Sequence, residues 1–224
     1  MNFKKSAIAA AVGTALAVAS SMAGAISVEN PSLTFLLTSD HCTGTCGGGA
    51  NPQPSFGTIV VTDLPGDVLG FNITLINGNK FVQTGLDLTF GFNLAGNPTL
   101  TYSGLSSGFT IPGGTSPTQT SGAYHENGTG NFQYGVVWGG GGNADTNPVL
   151  SFSVTGTGLT LASLQQNAVG QYFAADIISG TTGNTGAVDA SLVTSVPEPE
   201  TYATMLAGLG LLGFVAARRK NVAT

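Results

Sequence analysis

Hydrophobic and polar positions alternate along the middle of the chain, which is the pattern of strands with one buried face. The clearest case covers residues 86–94, LDLTFGFNL, where every second residue is Leu or Phe. Shorter runs of the same kind are LGFNITL from Leu69, NFQYGVVW from Asn131 and LSFSVT from Leu150. This period of two predicts β-strands in all four segments.

Further strand candidates bring the predicted total to about nine, separated by breaks rich in Gly and Pro. They are LTFLL, TIVV, TLTYS, YFAADII and AVDASLV, which start at Leu33, Thr58, Thr99, Tyr172 and Ala187. Only TLASLQQNA near Leu161 indicates helix, of one or two turns. The absence of a strand–helix–strand rhythm predicts an all-β fold. We expect an antiparallel β-sandwich of the jelly-roll or Ig-like kind, with a closed barrel as the alternative.

The first 25 residues have the three parts of a secretory signal peptide. Lys4 and Lys5 form a basic start, and an uncharged, mostly apolar stretch follows over residues 7–19. Ala23 and Ala25 then make a small-x-small cleavage site. We therefore expect export and a mature chain that starts at Ile26.

The segment after residue 195 has a second unusual composition. Pro197, Glu198 and Pro199 precede an uncharged run at residues 201–217, and Arg218, Arg219 and Lys220 follow it. As a helix this run would be about 25 Å long, which is just enough to span a bilayer. The basic cluster would hold its end on the cytoplasmic side. A buried core helix is the alternative, but the run has no polar stripe.

The order of signal peptide, secreted domain, Val-Pro-Glu-Pro, short apolar helix and Arg-Arg-Lys resembles the PEP-CTERM sorting signal. The resemblance implies processing by a membrane-embedded exosortase, with a precursor held transiently in the inner membrane. The protein would then pass to the cell surface or the extracellular space. It divides the chain into a signal peptide at 1–25, a secreted domain at 26–195 and a sorting signal at 196–224.

Charge excludes several kinds of partner for the predicted mature domain. Between residues 26 and 195, Lys80 is the only basic residue and there are nine acidic ones. Nucleic-acid backbones and anionic lipids are bound through Lys and Arg, so neither is expected as a partner. Carboxylate and phosphate substrates are disfavoured because Arg is their usual clamp. A surface of hydroxyl and amide groups instead suits a neutral or hydrated polysaccharide.

The only cysteines are Cys42 and Cys46, within DHCTGTCGGG. In an exported protein such a close pair predicts a disulfide, and Gly44 makes the tight turn feasible. The alternative is a soft metal site formed with His41, but it has at most three ligands. We predict the disulfide, with no metal and no cofactor.

No motif in the chain predicts catalysis. The alternation of Asn143, Asp145 and Asn147 is like the start of a calcium loop, but Pro148 and Val154 occupy the positions that need Gly and Glu. A polar surface loop is favoured there, and calcium stays open. His125 and Glu126 are adjacent and would point to opposite sides of a strand.

Together these features predict an exported, non-catalytic surface or extracellular-matrix protein associated with exopolysaccharide or biofilm. A carbohydrate-binding module is the alternative, and a secreted hydrolase is the less favoured one. A carbohydrate-binding module would use an exposed aromatic platform or a calcium ion, and a hydrolase would use a cleft with converging carboxylates.

Overall fold

The computed structural model describes residues 30–49, 55–114 and 116–192. The predicted signal peptide, with Ala23 and Ala25, and the predicted sorting signal lie outside these residues. Among the described residues, no helix has the length and apolarity needed to span a membrane.

Fourteen strands and one 3-10 helix, at Leu161–Ser163, make up the described part of the chain. The strands are β1 (Ser32–Asp40), β2 (Gly57–Leu64), β3 (Val68–Leu75), β4 (Lys80–Phe81), β5 (Phe90–Phe92), β6 (Leu100–Ser103), β7 (Phe109–Thr110), β8 (Thr118–Gln119), β9 (Tyr124–Glu126), β10 (Gly130–Phe132), β11 (Tyr134–Trp138), β12 (Val149–Thr155), β13 (Phe173–Ile178) and β14 (Thr185–Leu192).

Twelve of these strands form one sheet, in the order β7-β11-β5-β13-β14-β1-β2-β3-β12-β6-β8, with β4 paired to β13. Strands β9 and β10 form a separate hairpin. Every pairing among the described strands is antiparallel. The predicted all-β antiparallel class is therefore confirmed.

The sheet curls so that strands far apart in its order meet across the core. The ring centroids of Phe71 on β3 and Phe92 on β5 are 4.9 Å apart, although four strands separate β3 from β5 in the sheet. Phe152 stacks on Phe71 at 4.8 Å, and Phe173 meets it edge-on at 6.3 Å. The alternating Phe, Leu and Val side chains thus share one core. The division into two facing sheets that a sandwich requires stays a prediction, because the described strands follow one continuous order.

The longest alternating run deviates from the predicted single strand. Of residues 86–94, only Phe90–Phe92 is a strand, and Gly85 with φ of +100° bends the chain before it. Leu88 leaves the main core and packs with Phe132 on the outer face of the sheet. The alternation in NFQYGVVW predicts that Phe132 and Tyr134 share a face. This prediction is wrong, because Phe132 packs with Leu88 on the outer face whereas Tyr134 lies in the main core.

A pair of facing glycines makes room for this outer cluster. Gly91 on β5 and Gly135 on β11 are direct partners across the sheet. A Cβ on Gly91 would lie 2.9 Å from the ring of Phe132, and a Cβ on Gly135 would lie 2.7 Å from Leu88. The bare backbone at these two positions lets the β9–β10 hairpin lie close against the outer face.

Candidate functional site

The cysteine loop, residues 40–47, follows β1 and is organised by one carboxylate. Asp40 Oδ1 accepts the backbone N–H of Cys42 at 3.0 Å. Its Oδ2 accepts those of Cys46 and Gly47 at 2.7 and 2.8 Å. A short polar side chain that accepts nearby backbone N–H groups stabilises a turn at the expense of regular structure. Asp40 therefore ends the strand and folds the loop.

Cys42 and Cys46 lie at disulfide distance, with their Cα atoms 5.5 Å apart. This separation is in the range that a disulfide requires. Sulfur and carboxylate atoms of Asp40, Cys42 and Cys46 all lie within 4.8 Å of one another. Both Asp40 oxygens already accept backbone N–H groups, so the arrangement serves to close the loop.

His41 does not turn toward the two cysteines, as the alternative metal site would require. Its Nε2 lies 3.0 Å from Oδ2 of Asp189 on β14. Asp189 is fully buried, and its Oδ1 has no hydrogen-bond partner. The imidazole packs against Gly128, where a Cβ would lie 2.7 Å from Nδ1. His41 thus joins the cysteine loop to a buried acid in the centre of the sheet.

Glu126 is the second buried acid, and it anchors the β9–β10 hairpin. Its side chain is 1% exposed, and Oε1 accepts the N–H of Leu88 at 2.7 Å. The pKa of Glu126 is raised to about 8, mainly by burial and also by the negative charges of Asp176 and Asp87. The Leu88 hydrogen bond acts in the opposite direction. Glu126 is consequently protonated at neutral pH.

Asp176 on β13 is also fully buried, and it holds the segment before β5. Its carboxylate accepts the backbone N–H of Thr84 at 2.6 Å and the Thr84 hydroxyl at 3.0 Å. Burial raises the pKa of Asp176 to about 6, although the two bonds from Thr84 lower it. Beside it, the hydroxyl of Thr89 donates to Oε1 of Gln83 at 2.5 Å.

These buried acids are surrounded by strands and the hairpin, and each carboxyl group accepts hydrogen bonds from its own neighbours. His125, in contrast, is exposed, and its Nδ1 lies 3.0 Å from Asn131. The prediction that His125 and Glu126 point to opposite sides is confirmed. The buried carboxyl groups can bind protons, and their hydrogen bonds fix the neighbouring segments of chain in place.

The loop at residues 143–147 uses its polar side chains within itself. Asp145 Oδ1 accepts the N–H of Asn147, and Asn147 Oδ1 accepts the N–H of Val149, both at 3.0 Å. The Asn143 side chain donates to Gly140. These contacts are those of a polar loop, as the sequence favours.

Tyr134 and Trp138 alternate in NFQYGVVW and are the aromatic pair that a sugar platform would use, but both are used for packing. Tyr134 is fully buried, and its hydroxyl donates to the carbonyl of Pro98 at 2.6 Å. Trp138 is half-buried against Phe109 and donates to the carbonyl of Asn143 at 2.7 Å. The exposed large hydrophobic side chains in the described part of the chain are Ile76 and Val169, which are not aromatic.

A shallow groove of about 280 Å³ runs along the outer face of β2, β3 and β12. Its polar lining consists of hydroxyl and amide groups, from Thr62, Asn72, Ser151 and Ser153. Asn72 donates to the Ser151 hydroxyl at 3.1 Å. No charged side chain lines this groove.

Comparison with known proteins identifies one segment. Residues 195–220 match the PEP-CTERM protein-sorting motif. No curated protein and no solved structure matches the chain.

The chain thus carries a PEP-CTERM sorting motif at residues 195–220. The motif indicates sorting to the cell surface through an exosortase. The match includes Pro197, Glu198 and Pro199 together with Arg218, Arg219 and Lys220, all outside the described residues.

Sequence reasoning did not single out Asp40, Asp176 and Asp189 from the other acids. A usable signal was present for two of them. Asp176 interrupts the apolar run YFAADII, and Asp189 interrupts AVDASLV. An acid within a strand pattern indicates either an outward face or a buried, hydrogen-bonded carboxyl group. Which of the two alternatives applies depends on the strands that pair with the one that carries the acid.

Proposed function

We propose that this protein is a non-catalytic surface or extracellular-matrix protein, delivered by exosortase processing and associated with exopolysaccharide. Its precursor is held in the inner membrane by the uncharged run at residues 201–217. The mature cargo is the β domain at residues 26–195, a curled sheet of jelly-roll or Ig-like sandwich form closed near its start by a Cys42–Cys46 disulfide.

The match at residues 195–220 is the observation that carries this proposal. It indicates a destination, and the described domain fits that destination in two ways. Lys80 is the only Lys or Arg between the two predicted signals, so the domain has no basic patch of the kind that binds polyanions. Its remaining surface is rich in Ser, Thr, Asn and Gly, which hydrogen-bond to water and to neutral sugars.

A non-catalytic role agrees with the use that the domain makes of its titratable groups. Asp40, Asp176 and Glu126 each accept backbone N–H groups, and Asp189 holds His41. A catalytic acid or base must lie within hydrogen-bond reach of a bound substrate. The two fully buried aspartates, Asp176 and Asp189, offer no surface to one.

The groove on β2, β3 and β12 supports a second candidate, binding of a neutral carbohydrate. Hydroxyl and amide side chains without charge are suited to hydrogen bonds with sugar hydroxyl groups. Replacing Asn72 and Ser151 by Ala would weaken retention of the protein on exopolysaccharide in affinity electrophoresis. Unchanged retention of this variant would leave the matrix role without a binding function in the groove.

Fractionation of cells with and without the processing enzyme tests the main proposal. With the enzyme, the protein should reach the cell surface or the medium. Without it, a full-length precursor should accumulate in the inner membrane. Identical distribution in the two strains would contradict exosortase sorting.

A further inference from the structure

The end of β14 fixes how closely the sorting motif is tied to the folded sheet. Leu192 pairs with Phe35 on β1, and Phe35 pairs with Ile59 on β2. The three residues therefore lie in one row across the sheet. Strands β14 and β2 both run antiparallel to β1, so they point toward the same end of the domain.

Strand β2 continues well beyond this row. It ends at Leu64, about 17 Å past Ile59 at a strand rise of about 3.3 Å per residue, and the turn at residues 65–67 follows. The chain from Leu192 to Pro197 spans at most about 18 Å even when fully extended. Along the strand direction, the sorting motif can thus begin no farther out than this turn.

The segment between the sheet and the motif cannot be lengthened by releasing β14 without a cost in free energy. This strand lies in the interior of the sheet and pairs with β1 on one side and β13 on the other. Val188 and Ala190 are buried in the core. Residues 190–192 pair with β1 alone, but releasing the strand back to Asp189 would break both ladders and expose these side chains, which costs free energy on both counts.

The turn at 65–67 is held in place by hydrogen bonds to the segment that follows β12. The carbonyl of Asp67 accepts the N–H of Gly156 at 3.2 Å, and its Oδ2 accepts that of Gly158 at 3.1 Å. Nearby, Oδ2 of Asp63 accepts the N–H of Leu161 at 3.3 Å. We name residues 65–67 and 156–159 together the turn end. Pro65, Gly66 and Asp67 are exposed there.

We propose that the turn end is the surface that the processing enzyme contacts when it engages Pro197–Pro199. This inference rests on the proposed function. An enzyme that binds a motif unable to begin beyond this turn must accommodate the turn beside it. The turn end carries Asp67, has Asp63 close by in β2, and contains no basic residue. The complementary surface is therefore a protein surface with basic or amide groups, and an anionic lipid surface would repel the turn end.

Matched insertions in the full-length protein test the contact. One variant carries an epitope peptide between Gly66 and Asp67, and the control carries the same peptide between Asn77 and Gly78. Both turns are exposed, but Asn77–Gly78 follows β3 at the opposite end of the sheet. A third variant combines the Gly66–Asp67 insertion with a Gly/Ser extension after Ser195. Protease resistance reports folding, and intact mass reports the ratio of precursor to processed protein.

The expected result is loss of processing for the Gly66–Asp67 insertion, normal processing for the control, and recovery in the extended variant. Normal processing of both insertions would overturn the inference while the proposed function stands. Loss without recovery would also overturn it, because crowding at the motif would then not be the cause. An unprocessed wild-type protein would instead contradict the proposed function itself.

Discussion

Nε2 of His41 lies 3.0 Å from Oδ2 of Asp189, and this contact joins a surface loop to the centre of the sheet. The His41 side chain is 32% exposed, whereas that of Asp189 is fully buried. A buried carboxylate is tolerated when it is paired or hydrogen-bonded. The histidine is therefore a structural partner, which lets an acid occupy β14 between two hydrogen-bonded strands.

Replacing His41 by Ala should destabilise the protein by about 1–3 kcal/mol, because it leaves the buried Asp189 carboxyl group without its partner. His125 is the matched control, since it is exposed and its side chain forms a hydrogen bond only with Asn131. Its replacement by Ala should change the free energy of unfolding by no more than about 0.5 kcal/mol. Denaturant unfolding of the two variants measures the difference, and equal effects would contradict the assigned role.

The unfolding free energy should fall as the pH rises, because Glu126 is held protonated in the folded state and ionises in the unfolded chain. Its pKa is raised from 4.5 to about 8, so the unfolded state binds fewer protons between these values. Asp176 contributes in the same direction up to its pKa of about 6. Between pH 6 and 7 the loss from Glu126 should be about 1.4 kcal/mol per pH unit, and it should fall to about half that as the pH nears 8.

The Glu126→Gln variant separates this effect from other titrations. Glutamine keeps an oxygen for the N–H of Leu88 and carries no charge at any pH. Denaturation curves at pH 6, 7 and 8 should show a much weaker decline for the variant than for the wild type. Parallel declines in the two proteins would show that Glu126 is not the group responsible.

Gly135→Ala should destabilise the protein by about 1–3 kcal/mol, the usual cost of overpacking a filled space. A Cβ there would lie 2.2 Å from the carbonyl oxygen of Phe90 and 2.7 Å from Leu88. Gly142→Ala is the control, because a Cβ at that position meets nothing within 4 Å. The melting temperatures of the two variants test this, and a Gly135→Ala protein as stable as the control would argue against the close approach.

The alternating pattern was enough to predict the all-β class and most strands, including β3 and β12, because each of those strands buries one face along its whole length. It failed between residues 86 and 94. There Gly85 bends the chain, and the glycine pair at 91 and 135 opens a second apolar pocket for Leu88 and Phe132. Periodicity records which residues are buried, but it does not record on which side of the sheet.

The cysteine loop could be predicted as a tight turn, whereas the role of Asp40 in folding it could not. Cys42 and Cys46 stand out in composition, and their spacing limits the geometry to a small loop. The role of Asp40 depends on the path of the loop after β1, and that of Asp189 on which strand neighbours β1 in the sheet. Such long-range pairings are not encoded in any local pattern.

Thiol labelling of the exported, non-reduced protein should find no free cysteine at positions 42 and 46. Export places the pair in an oxidising compartment, and its Cα separation of 5.5 Å suits the bond. The same protein, labelled after reduction under denaturing conditions, is the control and should give two labelled thiols. Two labelled thiols before reduction would contradict the proposed disulfide.

Replacing Pro197, Glu198 and Pro199 by Ala should leave export intact and trap a full-length precursor in the inner membrane. Proline disfavours helix and strand, so the composition of this motif predicts an extended segment that the enzyme can reach. Removing residues 201–224 is the complementary change, and it should release the domain without sorting. A triple-alanine variant processed like the wild type would show that these residues are not recognised.

The intact mass of the wild-type protein recovered from the cell surface or medium tests the central claim most directly. Sorting by an exosortase predicts a mature chain that starts near Ile26 and lacks Arg218, Arg219 and Lys220, found away from the inner membrane. A wild-type protein that still carries those three residues and stays in the inner membrane would contradict the account, because the tail would then be a permanent anchor.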